Sequence, residues 1–207
     1  EDLAREEPAI DSTRYKHACV YREYLTDDAH LVIANLRSAA ALGAAVLNHA
    51  PVETILREGS AANGVEATCA LSGRRVRVRA RCVVNAAGPW VEAVRRLEDP
   101  GAPPLLHLSK GVHIVVPAER LPIRELVICN TRDRRSIFVI RRGDVVYLGT
   151  TDTSYAPGPN PWPEIEREDV EYLLEPVARY FRSGALRPDD VIAAWAGLRP
   201  LIAEPGK

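Results

Sequence analysis

A proline- and glycine-rich stretch at residues 99–104 (Asp-Pro-Gly-Ala-Pro-Pro) divides this sequence into two parts of different character. Proline fixes φ and lacks an N–H donor, so neither a helix nor an inner strand is expected to continue through such a stretch. Before it, strand-like and helix-like segments alternate, which is typical of an α/β layer. After it, short β-rich runs follow one another between turns. The sequence therefore predicts two small domains with a boundary near residue 100.

The first part carries a helix with signals at both ends. Thr26-Asp27-Asp28 provides an N-cap and early negative charge, and Gly43 is placed to end the helix. A helix over residues 29–42 is therefore predicted. Its apolar face is formed by Val32, Leu36, Ala39 and Ala40. Strands are expected over residues 18–21, 45–47 and 52–56, and a hairpin over 64–71 and 74–84.

The second part is predicted to be mostly β-structure with one long helix. Strands are expected over residues 105–116, 126–129, 137–140, 145–149 and 191–196. A proline-rich loop over residues 156–163 leads into the helix, which has acidic residues near its start. The helix has apolar residues spaced along one face: Val170, Leu173, Leu174, Val177 and Phe181. Pro176 is expected to kink it.

Composition excludes several classes of function. The formal net charge of −1 argues against nucleic-acid binding, and the arginines that alternate along residues 75–81 are typical of the solvent side of a strand. No apolar run approaches the roughly 18 residues that a membrane-spanning helix needs. The 4 cysteines form no Cys-x-x-Cys pair, so no metal site is expected and a reducing compartment is predicted.

Residues 82–90 (Cys-Val-Val-Asn-Ala-Ala-Gly-Pro-Trp) combine a strand-like run, small residues and a helix start at Pro89. Small residues at the end of a strand let a ligand approach the backbone, and the N-terminus of a helix offers donors to anionic oxygen atoms. This is the pattern of a dinucleotide site at the carboxyl edge of a sheet. An ordinary strand–turn–helix junction explains the same residues equally well.

Three further motifs place polar side chains at the ends of apolar strands or beside them. Lys110 and His113 lie three residues apart in a strand, so they face opposite sides unless Gly111 forms a bulge. Thr150, Thr151 and Asp152 follow Gly149 and offer hydroxyl and carboxylate groups, although a simple turn accounts for them too. Arg199, in Gly-Leu-Arg-Pro at the end of the last strand, is suited to binding a carboxylate or phosphate.

Some common signatures are absent from the sequence. It contains no G-x-G-x-x-G, no G-x-x-x-x-G-K-[ST], no H-E-x-x-H and no G-x-S-x-G, so the chain itself offers no phosphate loop. It also contains no methionine, even at position 1. We expect from this that the chain is an internal section of a longer protein.

Taken in order, the motifs resemble those of FAD-dependent glycerol-3-phosphate dehydrogenases. The resemblance runs from about residue 20 to the end and rests on residues 26–31 (TDDAHL), 85–90 (NAAGPW), 109–116 (SKGVHIVV), 149–152 (GTTD), 168–174 (EDVEYLL) and 197–201 (GLRPL). The second and last of these recur in flavin amine oxidases, whereas SKGVHIVV, GTTD and EDVEYLL discriminate. The family's N-terminal Rossmann phosphate loop and its C-terminal part are absent from this chain.

The resemblance implies a fold of the α+β or α/β class. It consists of a remnant of an FAD-binding Rossmann-like domain and a mostly antiparallel β substrate-binding domain flanked by helices. Residues 1–24 would be a leading segment that returns from the substrate domain, 25–100 part of the FAD-binding domain, and 101–207 the substrate-binding domain.

The resemblance also implies an enzyme that oxidises sn-glycerol 3-phosphate to dihydroxyacetone phosphate by hydride transfer to FAD. His113 would act as the base or as a partner of the substrate hydroxyl, and Arg199 as the charged group near substrate and flavin. Lys110, Thr150, Thr151 and Asp152 would line or support the pocket. The residues expected along the FAD are Val52, Ala86, Ala87, Gly88 and Trp90. The chain by itself is expected to be inactive.

Partners and alternatives complete these expectations. The electron acceptor implied is a quinone or oxygen. The protein is expected in the cytoplasm, with peripheral membrane association and a homo-oligomer left open. One alternative is a flavin amine oxidase that acts on glycine, sarcosine or a D-amino acid. Another is a binding module without catalysis.

Overall fold

The computed structural model describes residues 3–156 and 162–203. The chain divides into two compact units. The described residues up to Cys19 and from Leu105 onward form one, which we call the large-sheet unit, and Val20–Pro104 form the other, the small-sheet unit. The proline-rich loop expected over 156–163 lies largely outside the described residues.

The small-sheet unit contains two α-helices and a three-stranded antiparallel sheet. In chain order the elements are α2 (Asp28–Ala41), β1 (Val52–Glu58), β2 (Ala61–Thr68), β3 (Arg75–Arg79), a 3-10 turn (Gly88–Trp90) and α3 (Val91–Glu98). The sheet order is β1-β2-β3. The short helix α1 (Leu3–Glu6) precedes them in the chain and belongs to the large-sheet unit.

Helix α2 begins and ends where the sequence predicts. The Asp27 side chain accepts a hydrogen bond from the His30 amide at 3.0 Å, and Gly43 follows the helix with φ of +92°. Its predicted apolar face does not pack against any described residue closely enough to be buried: Val32 is 56% exposed and Leu36 41%. The helical period is therefore correct, but the described part of the chain leaves this face uncovered.

The α/β layer expected in the first part does not form among the described residues. Residues 18–21 and 45–47 are not strands, and the hairpin ends at Arg79, so residues 82–84 are irregular as well. Val84, predicted as part of a strand, is 81% exposed. These runs have strand-like composition, but no described strand lies beside them to supply hydrogen-bond partners.

The large-sheet unit is built on a six-stranded antiparallel sheet. Its elements are β4 (Leu106–Pro117), β5 (Val127–Asn130), β6 (Ser136–Arg142), β7 (Val145–Gly149), β8 (Thr153–Tyr155), α4 (Arg167–Tyr180), a 3-10 turn (Pro188–Asp190) and β9 (Ala193–Ile202). The strand order is β5-β6-β7-β4, and β8 pairs with β4 on the same edge as β7. Strand β9 pairs with the opposite edge of β4. The predicted second-half strands are confirmed, except that β9 is longer and carries Gly197-Leu198-Arg199-Pro200 within it.

The core of this unit lies between the sheet and α4. Val112, Ile114 and Val116 of β4 belong to the same buried cluster as Leu173 and Val177 of α4. Helix α4 has a capping box, in which the Asp169 carboxylate accepts a hydrogen bond from the Glu166 amide at 2.9 Å. The helix continues past Pro176 to Tyr180.

The fold class predicted from the sequence is confirmed as a mixture of antiparallel sheets and a few helices. Within residues 3–156 and 162–203, no helix combines the length and the apolar character that crossing a membrane requires.

Candidate functional site

Strand β4 separates the candidate residues of the large-sheet unit onto two faces. Its pairing with β9 runs residue by residue from 106 to 115 without a shift, so Gly111 does not form a bulge. Alternation along the strand therefore places Ser109, Gly111 and His113 on one face and Lys110 on the other, which faces α4. We call the first of these the polar face.

Arg199 of β9 is anchored on the polar face beside β4. An ideal Cβ at Gly111 would lie only 2.6 Å from its Nη2 atom, so the absence of a side chain at 111 makes room for the guanidinium. The guanidinium donates to Thr150 Oγ1 at 3.1 Å and to the Thr151 carbonyl at 3.3 Å. Because 39% of the side chain stays exposed, it remains accessible to an anionic group from solvent.

Asp152 lies between two arginines. Its carboxylate is 3.6 Å from Arg199 Nη1 and 3.3 Å from Arg135 Nη1, and it accepts a hydrogen bond from the Ser109 hydroxyl. Arg135 also donates to the Asp152 carbonyl. Neither Ser109 nor Arg135 was a candidate from the sequence. Ser109 adjoins the Lys110 motif, but nothing in the arginine-rich run around Arg135 distinguishes it from its neighbours.

His113 is enclosed by aromatic and glycine neighbours. Its imidazole stacks on the indole of Trp195, with ring centroids 5.0 Å apart and planes 7° apart. Tyr147 meets the same indole edge-on at 5.1 Å and 83°. On the neighbouring strand β7, an ideal Cβ at Gly149 would lie 2.1 Å from His113 Cδ2. Trp195 was not a sequence candidate, because its role depends on pairing with a strand some 80 residues away.

Lys110 is buried on the face opposite the polar face. Its ammonium donates to the Asp169 carboxylate at 2.7 Å, the Glu166 carboxylate at 3.1 Å and the Glu164 carbonyl at 3.2 Å. Burial alone would lower the pKa of Lys110, but the hydrogen bonds to Asp169 and Glu166 outweigh burial and raise it. Lys110 therefore stays charged and does not line the surface that carries Arg199.

Thr151 ties the turn after β7 to β4. Its buried hydroxyl accepts from the Val112 amide at 2.9 Å and donates to the Lys110 carbonyl at 3.4 Å. The Thr150 hydroxyl, which accepts from Arg199, donates to the Thr151 carbonyl at 3.0 Å. The two threonines thus hold the acceptors to which the guanidinium of Arg199 binds.

The five candidate cofactor residues all lie in the small-sheet unit. Val52, Ala86 and Ala87 line a cavity of about 350 Å³ whose other walls are mostly apolar, with valine the commonest residue. Asn85 orders this turn by accepting from the Ala87 amide at 3.3 Å and donating to the Val91 carbonyl at 3.0 Å. Gly88 and Trp90 form the 3-10 turn that follows. Small apolar walls of this kind fit a flat, uncharged part of a ligand, and no cationic side chain lines the cavity to bind phosphate.

Among the described residues no group of three or more histidine, cysteine, aspartate or glutamate side chains is arranged to hold a metal ion. The four cysteines are free thiols. Burial raises the pKa of Cys129 to about 12, which makes that thiol a poor nucleophile.

Comparison with known proteins gives a consistent result. The family model for FAD-dependent oxidoreductases matches residues 1–206. The α-glycerophosphate oxidase of Enterococcus casseliflavus is 39% identical over 210 residues, which cover 100% of this chain and 34% of that protein. The aerobic glycerol-3-phosphate dehydrogenase of Staphylococcus haemolyticus is 37% identical over 203 residues, covering 97% of this chain and 36% of that protein. The chain thus spans about a third of the length of these relatives.

Solved structures agree with the sequence relatives. The glycerol-3-phosphate dehydrogenase of Bacillus halodurans, complexed with FAD, superposes with a TM-score of 0.90 at 40% identity over 97% of this chain and 40% of that one. The L-proline dehydrogenase of P. horikoshii superposes with a TM-score of 0.64 at 17% identity over 86% of this chain, a likeness of fold alone. The resemblance found in the sequence motifs is therefore confirmed.

Proposed function

Because the chain belongs to the family of FAD-dependent oxidoreductases, we propose that the whole protein oxidises sn-glycerol 3-phosphate to dihydroxyacetone phosphate. The observation that carries this proposal is the polar face of β4. There the accessible guanidinium of Arg199 and the imidazole of His113 lie near each other on the same side of the sheet. The names of relatives that are 37–39% identical across nearly the whole chain support the choice of substrate.

Arg199 is proposed to bind the anionic oxygen atoms of the substrate. Its guanidinium is oriented by Thr150 and Thr151, so little side-chain freedom remains to be lost on binding. A charge-assisted hydrogen bond from such a donor contributes about 1.5–3 kcal/mol. Asp152 and Arg135 complete the charged surroundings on the same face.

His113 is proposed to take the proton of the C2 hydroxyl. Histidine is the side chain most often used as a general base in proton transfer. The guanidinium of Arg199 lies over Gly111, and His113 is two residues further along β4, about 7 Å at the rise of a strand. A three-carbon phosphate ester spans such a distance, with its phosphate towards Arg199 and its C2 hydroxyl towards His113.

The small-sheet unit is proposed to be part of the FAD-binding domain, and the large-sheet unit to be the substrate-binding domain. Residues 1–24 would then lead from the second into the first, which agrees with the assignment of the described residues up to Cys19 to the large-sheet unit. Val52, Ala86, Ala87, Gly88 and Trp90 would lie along FAD. When bound, FAD supplies the acceptor for the hydride that leaves C2 as the alcohol becomes a ketone.

The proposal is tested in the FAD-loaded full-length protein with Arg199→Ala, Arg199→Lys and His113→Ala. Loss of the guanidinium is expected to raise KM for glycerol 3-phosphate about 10- to 100-fold, and lysine is expected to recover only part of it because it lacks the planar fork. Loss of the imidazole is expected to lower kcat about 100-fold or more. Arg142→Ala, at the far end of β6, is the matched control. Wild-type kinetics in both Arg199→Ala and His113→Ala would refute the proposal.

The electron acceptor is proposed to be a quinone or oxygen, since relatives are named both dehydrogenase and oxidase. Turnover with a soluble quinone analogue under nitrogen, compared with hydrogen peroxide formed in air, separates the two. Co-sedimentation with quinone-containing vesicles tests whether the whole protein associates with a membrane surface.

A further inference from the structure

The imidazole of His113 lies between residues of two neighbouring strands. Gly149 of β7 and Trp195 of β9 are both directly opposite His113 in the register of the sheet. Directly opposed residues place their side chains on the same face of a sheet. The orientation of this ring is therefore set from both sides.

On the β7 side the ring fills space that only glycine leaves open. An ideal Cβ at Gly149 would lie 2.1 Å from Cδ2 and 2.6 Å from Nε2 of His113. Real Cβ atoms do not approach other atoms so closely, so any side chain at residue 149 displaces either the ring or the strand. Gly149 is itself buried in the sheet, which limits how far the strand can move.

On the β9 side the ring stacks on Trp195. The two planes are within 7° of parallel, and Tyr147 meets the indole edge-on. Trp195 is 44% exposed, so its position is not explained by burial in the hydrophobic core. An aromatic pair of this kind contributes about 0.5–1.5 kcal/mol beyond its buried area, enough to favour one ring orientation.

We propose that Trp195 is a positioning residue, which acts together with Gly149 to hold the imidazole of His113 in the orientation needed for proton transfer. This proposal rests on the proposed function, in which His113 is the base. Stacking fixes the plane of the ring, and the space above Gly149 fixes how far the ring reaches towards β7. A misplacement of about 1 Å in a reacting group costs on the order of 100-fold in rate, so a partly loosened ring is expected to lower kcat about tenfold.

The test is a double-mutant cycle between residues 195 and 113 in the FAD-loaded full-length protein. Trp195→Leu is expected to lower kcat about tenfold and to leave KM for glycerol 3-phosphate within about twofold, because Arg199 is untouched. Trp195→Phe keeps a stacking ring and is expected to retain at least half of the wild-type kcat. In the His113→Ala background Trp195→Leu is expected to change kcat less than about 1.5-fold, since no imidazole remains to be positioned. Trp162→Leu, which removes a tryptophan that is 66% exposed elsewhere in the chain, is the matched control.

Gly149→Ala tests the position of the same imidazole from the β7 side, where the added Cβ would meet the ring. It is expected to lower kcat in the wild-type background and to be tolerated with His113→Ala, where the clashing ring is absent. Equal losses of kcat from Trp195→Leu with and without His113 would overturn the positioning role and leave Trp195 with a structural one. A wild-type kcat for Trp195→Leu would overturn it too. If His113→Ala itself keeps the wild-type kcat, it is the assignment of the base that fails, so the two proposals fail in distinguishable ways.

Discussion

Replacing Lys110 by methionine removes the positive partner of a carboxylate that is almost completely buried. The side chains of Lys110 and Asp169 are 6% and 7% exposed, and their charged atoms lie 2.7 Å apart. Breaking a buried ion pair costs about 3–5 kcal/mol, because one charge stays buried without compensation. Asp169 keeps the hydrogen bond from the Glu166 amide, so we place the cost at the lower end, about 3 kcal/mol. The second partner, Glu166, is 69% exposed and adds about 1 kcal/mol or less.

Hydrogen exchange of the β4 amides in the full-length protein measures this cost locally. A loss of about 3 kcal/mol is expected to speed exchange through opening of this unit by about 100-fold. Lys110→Met combined with Asp169→Leu removes both charges and is expected to recover all but about 1 kcal/mol, the value of the lost helix cap. Glu166→Gln is the matched control and is expected to change exchange little. If the double variant exchanges as fast as Lys110→Met alone, the reasoning from an uncompensated buried charge is wrong.

The same pair predicts a pH dependence with a definite sign. The partners of Lys110 raise its pKa above the ordinary 10.5. Its contribution to stability is therefore fully present below about pH 10.5 and is lost as the pH rises through the folded-state pKa. The difference in unfolding free energy between wild type and Lys110→Met is expected to be constant near neutral pH and to shrink as the pH rises through the raised pKa of Lys110, above about 10.5.

Three further outcomes are expected. Gly111→Ala places a Cβ 2.6 Å from the guanidinium of Arg199, so it is expected to raise KM for glycerol 3-phosphate severalfold with β4 exchange unchanged, as steady-state kinetics and hydrogen exchange will show. Cys129, with its pKa raised to about 12, is expected to react with a thiol reagent at neutral pH only after unfolding, whereas exposed Cys82 reacts at once. The 207-residue chain on its own, which carries no glycine-rich phosphate loop, is expected neither to bind FAD tightly nor to turn over substrate, and a yellow, active preparation would contradict this.

Local signals in the sequence predicted the structure correctly wherever that structure depends on residues close in sequence. The cap at Asp27 and the glycine at 43 placed α2 to within one residue of its bounds, and the apolar spacing along α4 identified that second long helix without fixing its ends. Alternation along β4 separated Lys110 from His113 correctly. Residues 18–21, 45–47 and 82–84 were predicted wrongly as strands, because a strand needs a partner beside it and composition cannot show whether one is present.

The candidate site shows the same contrast between features set by local sequence and features set by distant strands. Arg199 and His113 stand in recognisable motifs, but what surrounds them comes from strands distant in sequence. Trp195 reaches His113 only through the pairing of β4 with β9, and Arg135 reaches Asp152 only through the fold of the sheet. The partners of Lys110 were visible merely as acidic residues at a helix start. Contacts between distant strands carry no local periodicity, so the sequence motifs pointed to candidate reactive groups and not to the residues that contact them.

The two faces of β4 impose different kinds of selection on successive residues of one strand. Val112 and Ile114 are fully buried against α4, so changes at these residues act on how much folded protein accumulates in a cell. Gly111 and His113 face away from that core, so under the proposed function changes there are expected to act on turnover by protein that is still folded. A mutational scan read out once by abundance and once by growth on glycerol 3-phosphate would thus separate along β4 with a period of two. Along β4, residues that pack in the core thus alternate with residues on the polar face.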